Sequence, residues 1–115
     1  MSSTLLHNPR CSKSRQALQL LEEQGIDLKV RRYLDDPLTV EELQQLLELL
    51  QKEPQAIIRT GEAIYKELQL ANKELSKHQW LGLLAEHPKL IERPIFIHQE
   101  RACIGRPPEK VLELI

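Results

Sequence analysis

The chain has 115 residues, with 16 Lys and Arg against 17 Asp and Glu, 41% hydrophobic residues and only 3% aromatics. That length suits one domain with an aliphatic core able to bury about two-thirds of the unfolded surface, and the dominance of leucine over isoleucine and valine favours helices over strands. A formal net charge of −1 argues against a generic nucleic-acid binder, a disordered chain or an acidic tail, and no apolar run approaches the roughly 20 residues needed to cross a bilayer. In chain order, Ser3–Leu6 reads as a short strand entering a turn, His7-Asn8-Pro9-Arg10-Cys11. From Ser12 to Gln24 the spacing of Ser14, Ala17, Leu18 and Leu21 predicts a helix, which Gly25 stops. Leu28 to Leu34 alternates and predicts a second strand, ended by Asp35-Asp36-Pro37. A helix between two strands makes a parallel crossover the natural arrangement.

The middle of the chain is helical. Thr39 with Glu42, and Ser76 with Gln79, form two capping boxes. Leu43, Leu46, Leu47 and Leu50 make one apolar stripe. Pro54 opens a helical segment through Ile57 and Ile58, Gly61 breaks it, and Ile64–Leu68 continues before a helix that ends near His87-Pro88. Ile95–Ile97 and Ala102–Ile104 read as a hairpin joined by His98–Arg101, and Gly105-Arg106-Pro107-Pro108 leads into a last helix, Glu109–Ile115. The order is β-α-β, a helical insert at about 39–90, then β-β-α, within a single domain over residues 1–115.

Two cysteines, Cys11 and Cys103, are too few for a disulfide scaffold or a structural zinc site. Met1–Leu6 does not resemble a signal peptide. The chain therefore reads as soluble and cytoplasmic, in a reducing compartment where a special cysteine is catalytic. Cys11 stands at a helix start, where free N–H groups and the helix dipole favour a thiolate. Residues His7 to Arg15 contain Arg10, Lys13 and Arg15 and no acid, and the same helix end would receive an anion. The competing reading is a small buried residue in a strand–helix turn. Position 14 is serine, so no Cys-x-x-Cys pair is present, and a redox centre here is monothiol and needs an outside thiol. Position 17 is alanine, so the phosphatase spacing of cysteine and arginine fails. Cys103 reads as a strand residue facing a core.

His7-Asn8-Pro9-Arg10-Cys11-Ser12-Lys13-Ser14-Arg15 resembles the His-x3-Cys-x3-Arg signature of the glutaredoxin-coupled arsenate reductase family. The similarity extends through Tyr33-Leu34 with Pro37, Ile58-Arg59, Tyr65–Leu68, His87-Pro88, Arg93-Pro94-Ile95 and Gly105-Arg106-Pro107. The resemblance implies an α/β, thioredoxin-like fold with a small mixed sheet, Cys11 as nucleophile, and Arg59, Arg93 and Arg106 as oxyanion ligands. It makes Pro94 the candidate for a cis peptide bond. Guanidinium forks suit a tetrahedral oxyanion, since they give paired, charge-assisted hydrogen bonds. His7 either supports the thiolate or closes the turn; Asn8 and Ser14 hold the loop through side-chain-to-backbone bonds; Arg15 either holds charge near Cys11 or lies on the helix surface. The implied reaction is reduction of arsenate through a covalent cysteine adduct by a monomer, with glutathione as co-substrate, glutaredoxin as partner, and no bound cofactor or metal. Two alternatives remain open: a glutathione-dependent thiol oxidoreductase with another substrate, and a non-enzymatic Spx-type regulator that binds RNA polymerase.

Overall fold

The computed structural model describes residues 3–115, so Met1 and Ser2, part of the segment weighed as a leader, lie outside the described residues. The chain divides into two compact units, one of residues 3–36 with Arg93–Ile115 and the other of Pro37–Glu92.

The first unit holds β1 (Ser3–Leu6), α1 (Ser12–Glu23), β2 (Leu28–Arg31), β3 (Ile95–His98), β4 (Arg101–Ile104) and a closing 3-10 segment, Pro108–Leu114. Its sheet runs β2-β1-β3-β4. β1 and β2 are parallel, while β1–β3 and β3–β4 are antiparallel. The predicted crossover and hairpin are both present, and the sheet is mixed. In register, Leu5 lies between Val30 and Phe96. Leu5, Phe96, Ala17 and Leu21 of α1, and Val111 of the closing segment form a fully buried cluster. Burial of each large side chain there stabilises by about 1.5–3 kcal/mol. This cluster fixes α1 against the sheet, and with it the turn at the helix start. Gly25 ends α1 region at a φ of +70°, a conformation open to glycine at no steric cost.

Several elements differ from the sequence reading; among them, the segment opened by Pro54 is a 3-10 turn over Pro54–Ile57, with Ile58 extended. β2 stops at Arg31 rather than Leu34, because the amides of Asp35 and Asp36 both turn back to the Arg32 carbonyl. The segment after Pro107 is a 3-10 helix, with Lys110 N–H donating to the Pro107 carbonyl. A piece this short that begins on two prolines lacks the donors and the length to settle as α-helix.

The second unit carries α2 (Val40–Leu50), α3 (Ala63–Glu67) and α4 (Lys77–Glu86), with 3-10 turns at Pro54–Ile57, Leu70–Asn72 and Pro88–Leu90. Both capping boxes form reciprocally, Thr39 with Glu42 and Ser76 with Gln79. The leucine stripe of α2 is buried, and α2 packs on α4 through a core that includes Trp80, Leu81 and Leu84. Ile58 pairs with Ile91, while the Arg59 amide donates to Leu90 O at 2.7 Å and the Glu92 amide to Ile57 O at 2.7 Å. These bonds join residues more than thirty positions apart and hold Arg59 next to Glu92.

Candidate active site

Cys11 is the N-cap of α1, with extended backbone angles, and its carbonyl accepts the Arg15 amide at 3.0 Å. The first turn of α1 contains no acid. The loop that delivers Cys11 is tied at each residue. The His7 amide donates to Arg31 O at 2.8 Å, the Arg10 amide to Asn8 Oδ1 at 3.0 Å, and the Cys11 amide to Asn8 O at 3.0 Å. Arg15 Nη1 reaches back to Pro9 O at 2.9 Å. Ser14 is fully buried, and its Oγ accepts the Asn8 amide at 3.0 Å while it pairs with His7 Nδ1 at 2.6 Å. Asn8 and Ser14 thus hold the loop as the sequence indicated, and Arg15 is engaged with that loop from the exposed side of α1.

The Cys11 sulfur is partly exposed. Burial works against its ionisation. The Ser14 N–H, the Arg93 guanidinium and the Lys13 N–H outweigh that burial, and the thiol pKa lies below its ordinary value. Arg106 completes the surroundings: its Nε donates to the Arg93 carbonyl at 2.8 Å, which aims Nη2 at the sulfur, 3.9 Å away. Both arginines sit before a proline, and the Arg93–Pro94 and Arg106–Pro107 peptide bonds are both cis. Between them Gly105 donates its amide to Pro94 O at 2.8 Å. A Cβ at Gly105 would meet Pro94 Cγ at 2.9 Å and Val111 Cγ1 at 3.1 Å, so only glycine permits this approach. Gly105 belongs to the Gly105-Arg106-Pro107 segment that carries the resemblance, but nothing in the sequence assigned it a role of its own.

The structure therefore brings Cys11, His7, Asn8, Ser14, Arg15, Arg93 and Arg106 together in the first unit. Arg59 belongs to the second unit, where Glu92 takes its Nη1 at 2.8 Å and Glu62 its Nε at 3.3 Å. Glu62 is an i,i+3 neighbour of Arg59, whereas Glu92 is distant in sequence, and neither was singled out from the sequence. His7 is buried and its pKa is lowered, first by burial and then by the charges of Arg32 and Arg15. Both effects favour the neutral imidazole, which serves the loop through Ser14. Arg32 is another residue that the sequence did not single out.

Cys103 lies on β4 against the buried cluster, and its thiol donates to Lys110 O at 3.6 Å. Burial, then the charge of Glu113, pushes its pKa up to about 11, so it stays a neutral thiol. Among the described residues, no three His, Cys, Asp or Glu side chains gather to hold a metal ion, and no helix is long and apolar enough to cross a membrane. A depressed thiolate beneath two guanidinium groups can attack an electrophilic centre that carries several anionic oxygens.

The chain is similar to known proteins along nearly its whole length. The model of the ArsC family matches residues 6–114. An arsenate reductase of Haemophilus influenzae is 44% identical, with both chains covered in full. The solved structure of an arsenate reductase from Vibrio cholerae superposes with a TM-score of 0.95 at 49% identity, covering 100% of this chain and 98% of that one. A global transcriptional regulator, Spx 2 of Oceanobacillus iheyensis, is 37% identical over 87% of this chain and 74% of its own length.

Proposed function

The chain belongs to the ArsC family, and on that premise we propose that it is an arsenate reductase whose nucleophile is Cys11. The observation that carries the reading is the Cys11 thiol, lowered in pKa at the start of α1, with Arg93 and Arg106 directed to it. The thiolate attacks arsenic and displaces an oxygen as water, leaving a covalent cysteine–arsenic adduct. Arg93 and Arg106 bind the remaining oxygens and offset the charge that builds on them. The resemblance adds Arg59 as a third oxyanion ligand, held in place within its own unit by Glu62 and Glu92.

Reduction of arsenic from the pentavalent to the trivalent state takes two electrons, which two thiols supply as they leave as a disulfide. Cys103 is unsuited to be one of them, since its thiol is held neutral. The second thiol is then external. Glutathione fills that role, adding to the adduct, and glutaredoxin resolves the mixed product with release of arsenite. The electrons come from thiols, so the step requires no bound metal or organic cofactor, and it belongs in the reducing cytoplasm.

The test is arsenite formation by the purified chain with arsenate, glutathione and glutaredoxin. Cys11→Ser abolishes turnover while the fold survives; retained turnover would sink the assignment. Arg59→Ala raises the KM for arsenate if that residue binds the anion. Glutathionylated peptides and other oxyanions assayed alongside separate arsenate reduction from another thiol activity on the same cysteine. The Spx relative favours a second reading, a regulator that binds RNA polymerase. Recovery of polymerase subunits on the immobilised chain, without thiol turnover, would support it.

A further inference from the structure

Beside the cysteine loop lies a cavity of about 380 Å³, lined by His7, Asn8, Pro9, Arg10, Arg32, Leu34 and Asp35. One wall is the loop that carries Cys11, since Asn8 in this wall accepts the Cys11 amide. The opposite wall is the turn after β2, joined to the loop by the bond from the His7 amide to Arg31 O. Arg10, Arg32 and Asp35 are exposed residues of its lining, and none of the three is engaged in an ion pair among the described residues. The cavity therefore offers two cations and one anion beside the loop that carries a nucleophile with no second thiol of its own. Its volume lies within the range of small-ligand sites, about 300–1,000 Å³.

We propose that this cavity binds the external thiol: a small peptide thiol with two carboxylates and one ammonium, the chemistry of glutathione. Arg10 and Arg32 pair with the carboxylates and Asp35 with the ammonium, which leaves the sulfur free to reach Cys11. The positive field at this wall is already felt by His7, whose protonation Arg32 opposes. The proposal rests on the thiol-dependent reading above, but it can be tested without arsenate. Oxidised glutathione reacts with Cys11 in one balanced step: the thiolate attacks one sulfur of the disulfide, a Cys11–glutathione disulfide forms, and a glutathione thiolate leaves.

Mass spectrometry follows this reaction on the full chain, against two reference disulfides: neutral 2-hydroxyethyl disulfide and dianionic dithiodipropionate. Asp35→Asn is the discriminating variant. Removal of an acid makes the local field more positive, which by itself speeds every anionic disulfide. A bound ammonium reverses that sign for glutathione alone. The expected result is that Asp35→Asn lowers the rate with oxidised glutathione about fivefold relative to dithiodipropionate. Arg32→Gln lowers it by a similar factor relative to the neutral disulfide. All three positions are exposed, so these variants fold. If Asp35→Asn speeds both anionic disulfides alike, the cavity is only part of a general positive field and the proposal is overturned. A chain that shows the selectivity yet forms no arsenite overturns the arsenate reading and upholds the cavity assignment. A chain that reduces arsenate with glutathione but shows no selectivity does the opposite.

Discussion

Arg106 serves two partners at once: Nε donates to the Arg93 carbonyl and Nη2 lies 3.9 Å from the Cys11 sulfur. A planar guanidinium with five donors can do this, whereas an ammonium on a flexible stem is a single point of charge. Arg106→Lys therefore keeps the charge and loses the aim. We expect the KM for arsenate to rise about tenfold in Arg106→Lys, and further in Arg106→Ala, as read from initial rates. Arg93 acts directly on the thiol, and its removal takes away a guanidinium that works with the Ser14 and Lys13 N–H groups against burial. The Cys11 pKa accordingly rises in Arg93→Ala, which ultraviolet absorbance of the thiolate across a pH titration measures. With the wild-type pKa depressed, the nucleophile persists to lower pH than an ordinary thiol near about 8.5. The acid limb of the rate profile then moves to higher pH in Arg93→Ala. An unchanged limb would remove Arg93 from the activation of Cys11.

At the scale of elements, local rules were legible and long-range bonds were not. The capping boxes, the leucine stripe of α2 and the stop at Gly25 each depend on residues within a turn or two, and all formed as read. Ser76→Ala, which deletes the cap of α4, is expected to cost about 1 kcal/mol in urea unfolding. The early end of β2 and the 3-10 form of the last segment arise from turns closed by backbone bonds at Arg32 and Pro107, which side-chain alternation does not report. The site divides the same way. A cysteine in an acid-free loop before a helix was visible from neighbouring residues, whereas Arg93 and Arg106 were implied by resemblance alone. Their approach to Cys11 depends on sheet pairing between β1 and β3 and on Gly105 lying against Pro94. Gly105→Ala puts a methyl into that contact. It should cost about 1–3 kcal/mol and, if the turn moves, also raise the Cys11 pKa. Loss of stability with an unchanged thiol titration would mean the glycine serves packing alone.

On the scale of the whole molecule, a net charge of −1 conceals a local excess of positive charge around the loop, and its influence extends to folding through His7. This imidazole is buried, bonded to Ser14, and lowered in pKa by burial and by Arg32 and Arg15, with Glu22 opposing. In the unfolded chain a histidine takes its proton near about pH 6.5. The native state resists protonation until the pH is lower, so across that window the unfolded chain binds more protons. Stability is thus fully present above the unfolded value and is lost as pH falls through the folded one. His7→Asn places an amide where Nδ1 was, keeps a partner for Ser14 and cannot titrate. Urea midpoints measured at about pH 7 and about pH 5 should fall less in His7→Asn than in the wild type. Equal falls would assign the acid sensitivity to other groups. The Cys11 thiolate moves stability in the same sense, since its folded pKa is also depressed, but its window extends upward toward the ordinary thiol value. Cys11→Ser removes that second contribution without touching the first, so the two variants together assign the pH dependence of folding to the residues that build the site.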